Sequence, residues 1–137
     1  MGRAQVILLD THAAIWYALD KGLGRQSQRI VDKAIANDRV AVSAFSFWEL
    51  AMLASKGRLR AIESAGEIRS KLLSAGFREL PVTGDIAILG AELEGLHGDP
   101  ADRIIAATAI AHDATLITAD DKLLRWRHRL KRQDADR

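Results

Sequence analysis

Short apolar runs separated by helical sequence set the architecture of this chain. Val6 to Leu9 is continuously apolar, the pattern of a strand buried on both faces. Val40 to Val42 repeats it, and Thr115-Leu116-Ile117-Thr118 gives another. Glu79-Leu80-Pro81-Val82 reads as a brief strand whose proline places it at an edge. Between them lie helical stretches at about 13–19, 26–36, 44–54, 65–75 and 86–93, and one from Pro100 to about Ala111. Alternation of this kind predicts an α/β fold, a short parallel β-sheet flanked by helices on both faces. At 137 residues the chain is one domain's worth, with its core expected over about 5–124.

Local punctuation supports these elements. Ser43 is placed to cap the helix at 44–54, whose polar residues are only Ser46 and Glu49, so burial nearly all round is expected. Gly57 follows one helix as its left-handed stop, Gly76 ends another, and Thr83 precedes a further helix as its cap. After Leu124 no periodicity is readable. That region is basic: Lys122, Arg125, Arg127, Arg129, Lys131 and Arg132 fall without an intervening acid, and the rest of the chain is net acidic. The segment at about 122–137 therefore reads either as a solvated tail or as a surface for anions such as RNA phosphates. No apolar run is long enough to span a bilayer, and the N-terminal run is too short for a signal-peptide core, so a cytoplasmic protein is expected. With no cysteine, any metal would be held by oxygen or histidine.

The chemistry resides in acids at strand ends. In an open parallel sheet, ligands sit beyond the carboxyl ends of the strands. Asp10 directly follows the first strand, Asp120 lies two residues beyond the fourth, and Glu49 lies in the helix after the second. Asp102 opens the helix that feeds the fourth strand. Four carboxylates drawn together would repel, and a hard cation such as Mg²⁺ or Mn²⁺ relieves that repulsion. Phosphodiester hydrolysis by a metal-activated water follows from such a site.

Each acid also has a structural reading. Asp10 suits a cap for the helix beginning at Thr11, and Ser46 with Glu49 fits a capping box. A helix beginning at Ser43 would instead leave Glu49 as a buried charge in need of a partner. Asp99 precedes Pro100, which suits a first helical position, so Asp99 is the better cap and Asp102 is free for chemistry. Thr118 and Asp121 fit a second capping box, which leaves Asp120 free.

These residues together resemble the PIN domain family, and within it the VapC-type toxins of bacterial toxin–antitoxin pairs. The resemblance runs through Leu8-Leu9-Asp10-Thr11-His12 with Trp16, Phe47-Trp48-Glu49-Leu50, Lys56-Gly57-Arg58-Leu59, His97-Gly98-Asp99-Pro100-Ala101-Asp102-Arg103 and Leu116-Ile117-Thr118-Ala119-Asp120. It implies a parallel sheet between helices and an endoribonuclease dependent on Mg²⁺ or Mn²⁺. It also implies a homodimer and inhibition by a VapB-type antitoxin. The family's acids match Asp10, Glu49, Asp102 and Asp120, with Asp10 and Asp102 expected nearest the metal. Asp99, Thr118 and Arg103 match accessory positions, Arg103 with either a direct role or that of a surface helix charge. The usual final strand is not visible.

Other residues read as ordinary. His12, His97, His112 and His128 lack metal-ligand spacing and read as surface or structural. Trp16 and Trp48 are expected in the core, and Trp126 as a packed aromatic or a base-stacking one. Arg25, Arg29, Lys56, Arg58 and Arg60 belong either to solvated helix faces or to an RNA path. Two rival functions share the layout. A non-catalytic RNA-binding or regulatory module would bind without cleaving. A receiver-like phosphoacceptor would need a lysine ending a late strand, where this chain has Thr118-Ala119-Asp120.

Overall fold

A computed structural model describes residues 5–57 and 64–137 of the chain. Arg58, Leu59 and Arg60 lie outside the described residues. The elements run β1 (Ile7–Leu9), α1 (Thr11–Ala18), α2 (Arg25–Ala36), β2 (Val40–Ser43), α3 (Ala44–Ser55) and α4 (Ala65–Ala75). They continue with β3 (Arg78–Leu80), α5 (Gly84–Glu92), α6 (Pro100–Ala111), β4 (Thr115–Thr118), α7 (Asp121–Arg125) and β5 (Lys131–Asp134). All strand pairs are parallel, in the order β3-β2-β1-β4-β5.

Pleating splits the apolar runs between two cores. Ile7, Leu9, Val40, Val42 and Ile117 face one side and pack with Val31, Leu50, Ile68 and Leu72 of α2, α3 and α4. Leu8, Ala41 and Leu116 face the other and pack with Ile86, Ile105, Ala106 and Leu123 of α5, α6 and α7. A strand in such a sheet is buried on both faces, which is why its sequence is apolar without alternation. The caps lie where local chemistry places them. Ser43 accepts from the Phe45 N–H, Thr83 from that of Ile86, and Gly76 stops α4 at φ 108°.

Two elements of the fold depart from their sequence reading. First, residues 122–137 are not a tail. Leu123, Trp126, Leu130 and Ala135 are buried, and Lys131–Asp134 pairs with β4 as a fifth strand, with Thr118 opposite Asp134. The last residues then close on α2, where the Arg137 main-chain oxygen accepts from the N–H groups of Gln26 and Ser27. The helix has no side-chain cap at Gly24, so this contact satisfies N–H groups that would otherwise be orphaned. β5 is written Lys-Arg-Gln-Asp because an edge strand with charged side chains discourages further pairing. Charge in place of an apolar run makes it illegible as a strand.

Second, α3 is not buried all round. Only Ser46 and Leu50 of this helix are buried, while Trp48 is 57% exposed and Met52 37%. Trp48 is therefore not a core residue; it stacks on Phe45 at a ring separation of 5.2 Å. Trp16 is half-buried beneath Gly22, whose φ of 109° and close approach leave no room for a side chain.

Candidate active site

The strand order reverses between β1 and β4, and the crevice at their carboxyl ends is where an open α/β sheet binds ligands. A pocket of about 330 Å³ lies there, lined by Asp10, Glu49, Asp99, Asp102 and Asp120 together with His12, Trp16 and Ala119. All four acids marked in the sequence meet in it, and so does Asp99.

Each carboxylate arrives by a local device. Asp10 ends β1 and caps α1: one oxygen accepts from the Ala13 N–H at 2.9 Å, the other from the Thr118 hydroxyl at 2.5 Å. Thr118, the last residue of β4, also accepts the Asp120 N–H at 3.0 Å, so a single hydroxyl ties two acids to adjacent strands. Asp120 caps α7 through the Lys122 N–H at 2.8 Å. Asp99 caps α6 through the Ala101 N–H at 2.9 Å, with Pro100 as the first helical residue and Asp102 as the third. Glu49 is half-buried, and the buried Thr11 hydroxyl, 2.9 Å from Ser46 Oγ, donates to its carboxylate.

The expected division between caps and site acids therefore holds for Asp102 but not for Asp120. Asp120 caps the last helix itself, and Asp121 instead forms an exposed pair with Arg125. Capping does not exclude a carboxylate from the pocket, because a carboxylate has two oxygens and one suffices for a cap. Asp10, Asp99 and Asp120 cap three helices whose positive ends converge on the pocket, and this partly offsets the repulsion among the acids.

The offset is incomplete. Burial, then the hydrogen bond and charge of Asp120, then the charges of Asp99 and Asp10, push Asp102 up to about 8. Burial would raise Asp120 as well, but its hydrogen bonds from Asp102 and the Lys122 N–H outweigh that and hold it low. Burial and the neighbouring acids thus favour the protonated form of Asp102, while Asp120 favours the ionised form. Burial also raises Asp10 against the opposing Thr118 and Ala13 hydrogen bonds.

Protons retained in the fold and released on unfolding make stability depend on pH. Asp102 titrates near 3.8 when unfolded and near 8 when folded, so between these values the native state binds more protons. Its contribution is complete below the lower value and lost as pH rises through the upper one. In metal-free buffer, the melting temperature followed by circular dichroism is expected to fall between about pH 5 and pH 8. Asp102→Asn should flatten that fall.

Two residues have roles that the sequence does not disclose. His97 is half-buried, its Nε2 3.1 Å from Asp102 Oδ2 but not hydrogen-bonded to it, so among the described residues this buried nitrogen has no hydrogen-bond partner. Its Nδ1 accepts the Asp99 N–H at 3.3 Å. One ligand atom from each of His97, Asp102 and Asp120 lies within 4.8 Å of the other two, while Asp10 and Glu49 line the pocket outside that trio. The only local signal for His97 is its place two residues before a helix cap, where the chain folds back over the helix start.

Arg103 is neither a surface charge nor a group reaching into the pocket. Its Nε donates to Gly90 O at 2.9 Å, Nη1 to Leu96 O and His97 O at 2.8 and 3.1 Å, and Nη2 to Ala91 O and Leu93 O at 3.1 and 2.6 Å. A guanidinium has five N–H donors, and all five are used. They hold the end of α5 and the loop that carries His97. Trp126 Nε1 fixes the same loop through Glu94 O at 2.9 Å.

Residues 7–128 match the PIN domain family model. The chain belongs to the PIN domain family. Within it, the chain is similar to the VapC-type proteins: it is 36% identical over 126 residues to Ribonuclease VapC22 of Mycobacterium tuberculosis, covering 89% of this chain and 92% of that protein. Its fold matches FitAcB from Neisseria gonorrhoeae with a TM-score of 0.66 at 25% identity, covering 95% of this chain and 98% of that one. It also matches VapBC2 from Rickettsia felis bound to promoter DNA, with a TM-score of 0.66 at 20% identity over 94% and 98% of the two chains. Among the described residues, no helix of this PIN domain is long and apolar enough to cross a membrane.

Proposed function

We propose that this PIN domain is an endoribonuclease dependent on Mg²⁺ or Mn²⁺ and the toxin of a VapBC-type pair. The observation that carries the reading is the meeting of Asp10, Glu49, Asp99, Asp102 and Asp120 in one pocket at the carboxyl ends of β1 and β4. Carboxylates gathered this closely repel one another, strongly enough with burial to push Asp102 up to about 8, and a divalent cation relieves that repulsion. The donors are oxygens, with a buried His97 nitrogen beside them that faces Asp102 at 3.1 Å without a hydrogen bond, and both observations suit a cation. Asp10, Asp102 and Asp120 would hold it, with Glu49 as a ligand through water.

A divalent cation bound here would supply polarisation of the phosphate and a lowered pKa for an attacking water. The chain's own residues do the rest. Thr118 fixes Asp10 and Asp120 relative to each other, so the acids on β1 and β4 cannot drift apart. Thr11 holds the Glu49 carboxylate at the pocket, where it would take a proton as the water oxygen bonds to phosphorus; the phosphodiester P–O bond breaks and the departing sugar oxygen takes a proton from solvent. Asp99 stays at the helix start and adds negative potential without being needed for the chemistry.

Similarity to VapC22 supports the ribonuclease reading, and the antitoxin complexes among the fold's relatives support a VapB-type partner. Trp48 and Met52, four residues apart on one face of α3, offer apolar surface for a second copy, in keeping with a homodimer.

The test is cleavage of single-stranded RNA with and without EDTA. Activity should vanish in chelator, return with Mg²⁺ or Mn²⁺, and be absent from Asp10→Asn. Calorimetric titration with Mn²⁺ should show affinity rising by up to about tenfold per pH unit from 6 to 8, because the ion displaces the proton on Asp102. Cleavage that survives both EDTA and Asp10→Asn refutes the mechanism. Binding without any cleavage would favour the non-catalytic module.

A further inference from the structure

The basic stretch that looks uniform in sequence is sorted by the fold. Arg132 is engaged internally, donating to Leu123 O at 2.6 Å and His128 O at 2.7 Å. Lys131 pairs with Asp113 at 2.8 Å and, with Arg129, lines a separate hollow against α6. Lys122, Arg125 and Arg127 converge instead on one groove of about 570 Å³. Lys122 and Arg127 form no ion pair among the described residues. Arg125 meets Asp121 at 3.6 Å with both side chains largely exposed, a pair that water and salt screen to little.

The groove adjoins the acidic pocket. His97 lies in the groove wall and faces Asp102 of the pocket. Asp120 lines the pocket, and the next two residues, Asp121 and Lys122, line the groove, so the first turn of α7 is the partition between them. Leu96 and Trp126 also contribute to the lining. Trp126 is only 5% exposed, with its ring stacked on His128 at 4.2 Å, so it is a packed aromatic and not a platform for a base. Recognition here is by charge.

We propose that Lys122, Arg125 and Arg127 form the track for the RNA strand flanking the cleaved bond, gripping backbone phosphates while the next phosphate enters the acidic pocket; this rests on the ribonuclease reading above. The juxtaposition favours a nucleic-acid strand over other anions. A flat anionic membrane or an acidic protein face would press against the carboxylates beside the groove. A flexible polyanion can lay some phosphates on the cations and present one to a cation-loaded pocket. Because phosphates carry no sequence, the track supplies affinity and register but little base preference.

The test is binding of a short fluorescein-labelled single-stranded RNA, followed by anisotropy in EDTA so that no cleavage intervenes, over a series of KCl concentrations. Replacing Lys122, Arg125 and Arg127 together by glutamine should weaken binding by about 10–100-fold at low salt and reduce the logarithmic salt slope by about 2, close to 0.7 for each phosphate no longer neutralised. Arg127→Glu alone should weaken binding in the same direction, and Arg129→Gln should leave both affinity and slope unchanged. With Mg²⁺ or Mn²⁺ present, the triple variant should raise KM while largely keeping kcat. If the wild type cleaves RNA and the triple variant matches it in affinity and slope, the track is wrong and the ribonuclease reading stands. If the wild type neither binds nor cleaves RNA, both fail. Unchanged RNA binding with lost antitoxin binding would reassign the groove to a protein partner and overturn the proposal.

Discussion

Asp102→Asn is expected to abolish RNA cleavage while making the metal-free protein more stable at neutral pH. Asparagine at the third position of α6 keeps the helix start, because Asp99 and not Asp102 supplies the cap. It removes a carboxyl whose charged form is disfavoured by burial and by three neighbouring acids. Activity should fall by at least about 10²–10³-fold, the scale on which losing one group that stabilises developing charge is felt. The melting temperature in EDTA at pH 8 should rise above that of the wild type. Opposite movement of activity and stability marks an acid kept for chemistry at a cost to the fold. Asp99→Asn is the contrast. Asparagine caps about as well as aspartate, so melting should change little and cleavage should stay within about tenfold. Equal loss of cleavage in the two variants would place Asp99 among the essential acids.

Arg103→Met is expected to destabilise the domain more than any exposed charge substitution. Five carbonyls, from Gly90 to His97, lose their donors together. Hydrogen bonds to a charged group contribute about 1.5–3 kcal/mol each in favourable cases, and some of these carbonyls would regain water. A net loss of about 3–5 kcal/mol is expected, read from urea unfolding with the slope unchanged. Arg103→Lys should recover only a small part, because an ammonium on a flexible stem cannot fan five donors over two sides of a loop. A lysine variant as stable as the wild type would show that charge at the end of α5 matters and the clamp does not. Cleavage in Arg103→Met below its melting range should also fall, since the same clamp holds His97 against Asp102.

Much of this was readable because its causes lie within a few residues. A run such as Val6 to Leu9 is apolar because both faces of its strand are covered, and the covering does not alter how the run reads. Asp99 before Pro100, Ser43 before Ala44 and Thr83 before Gly84 carry their capping geometry with them. Other residues misled for equally physical reasons. α3 is apolar on more than one face, yet it lies at the surface, and composition cannot distinguish a helix covered by its own domain from one that leaves Trp48 outside. β5 carries an edge strand's charges and so lacks a strand's signature.

By itself the sequence determined the alternation of strands and helices, the helix starts and the placing of acids just beyond strand ends, because propensity, capping and burial periodicity are local. Only the tertiary structure decided that burial beside Asp120 raises Asp102, that one hydroxyl at Thr118 binds Asp10 to Asp120, and that His97 belongs beside them. It also decided that Arg103 grips a loop and that three of six clustered cations face a groove. A proton's affinity and a cation's partner depend on which distant segments come within a few ångströms, and that distance is set by the order β3-β2-β1-β4-β5 and not by any stretch of sequence.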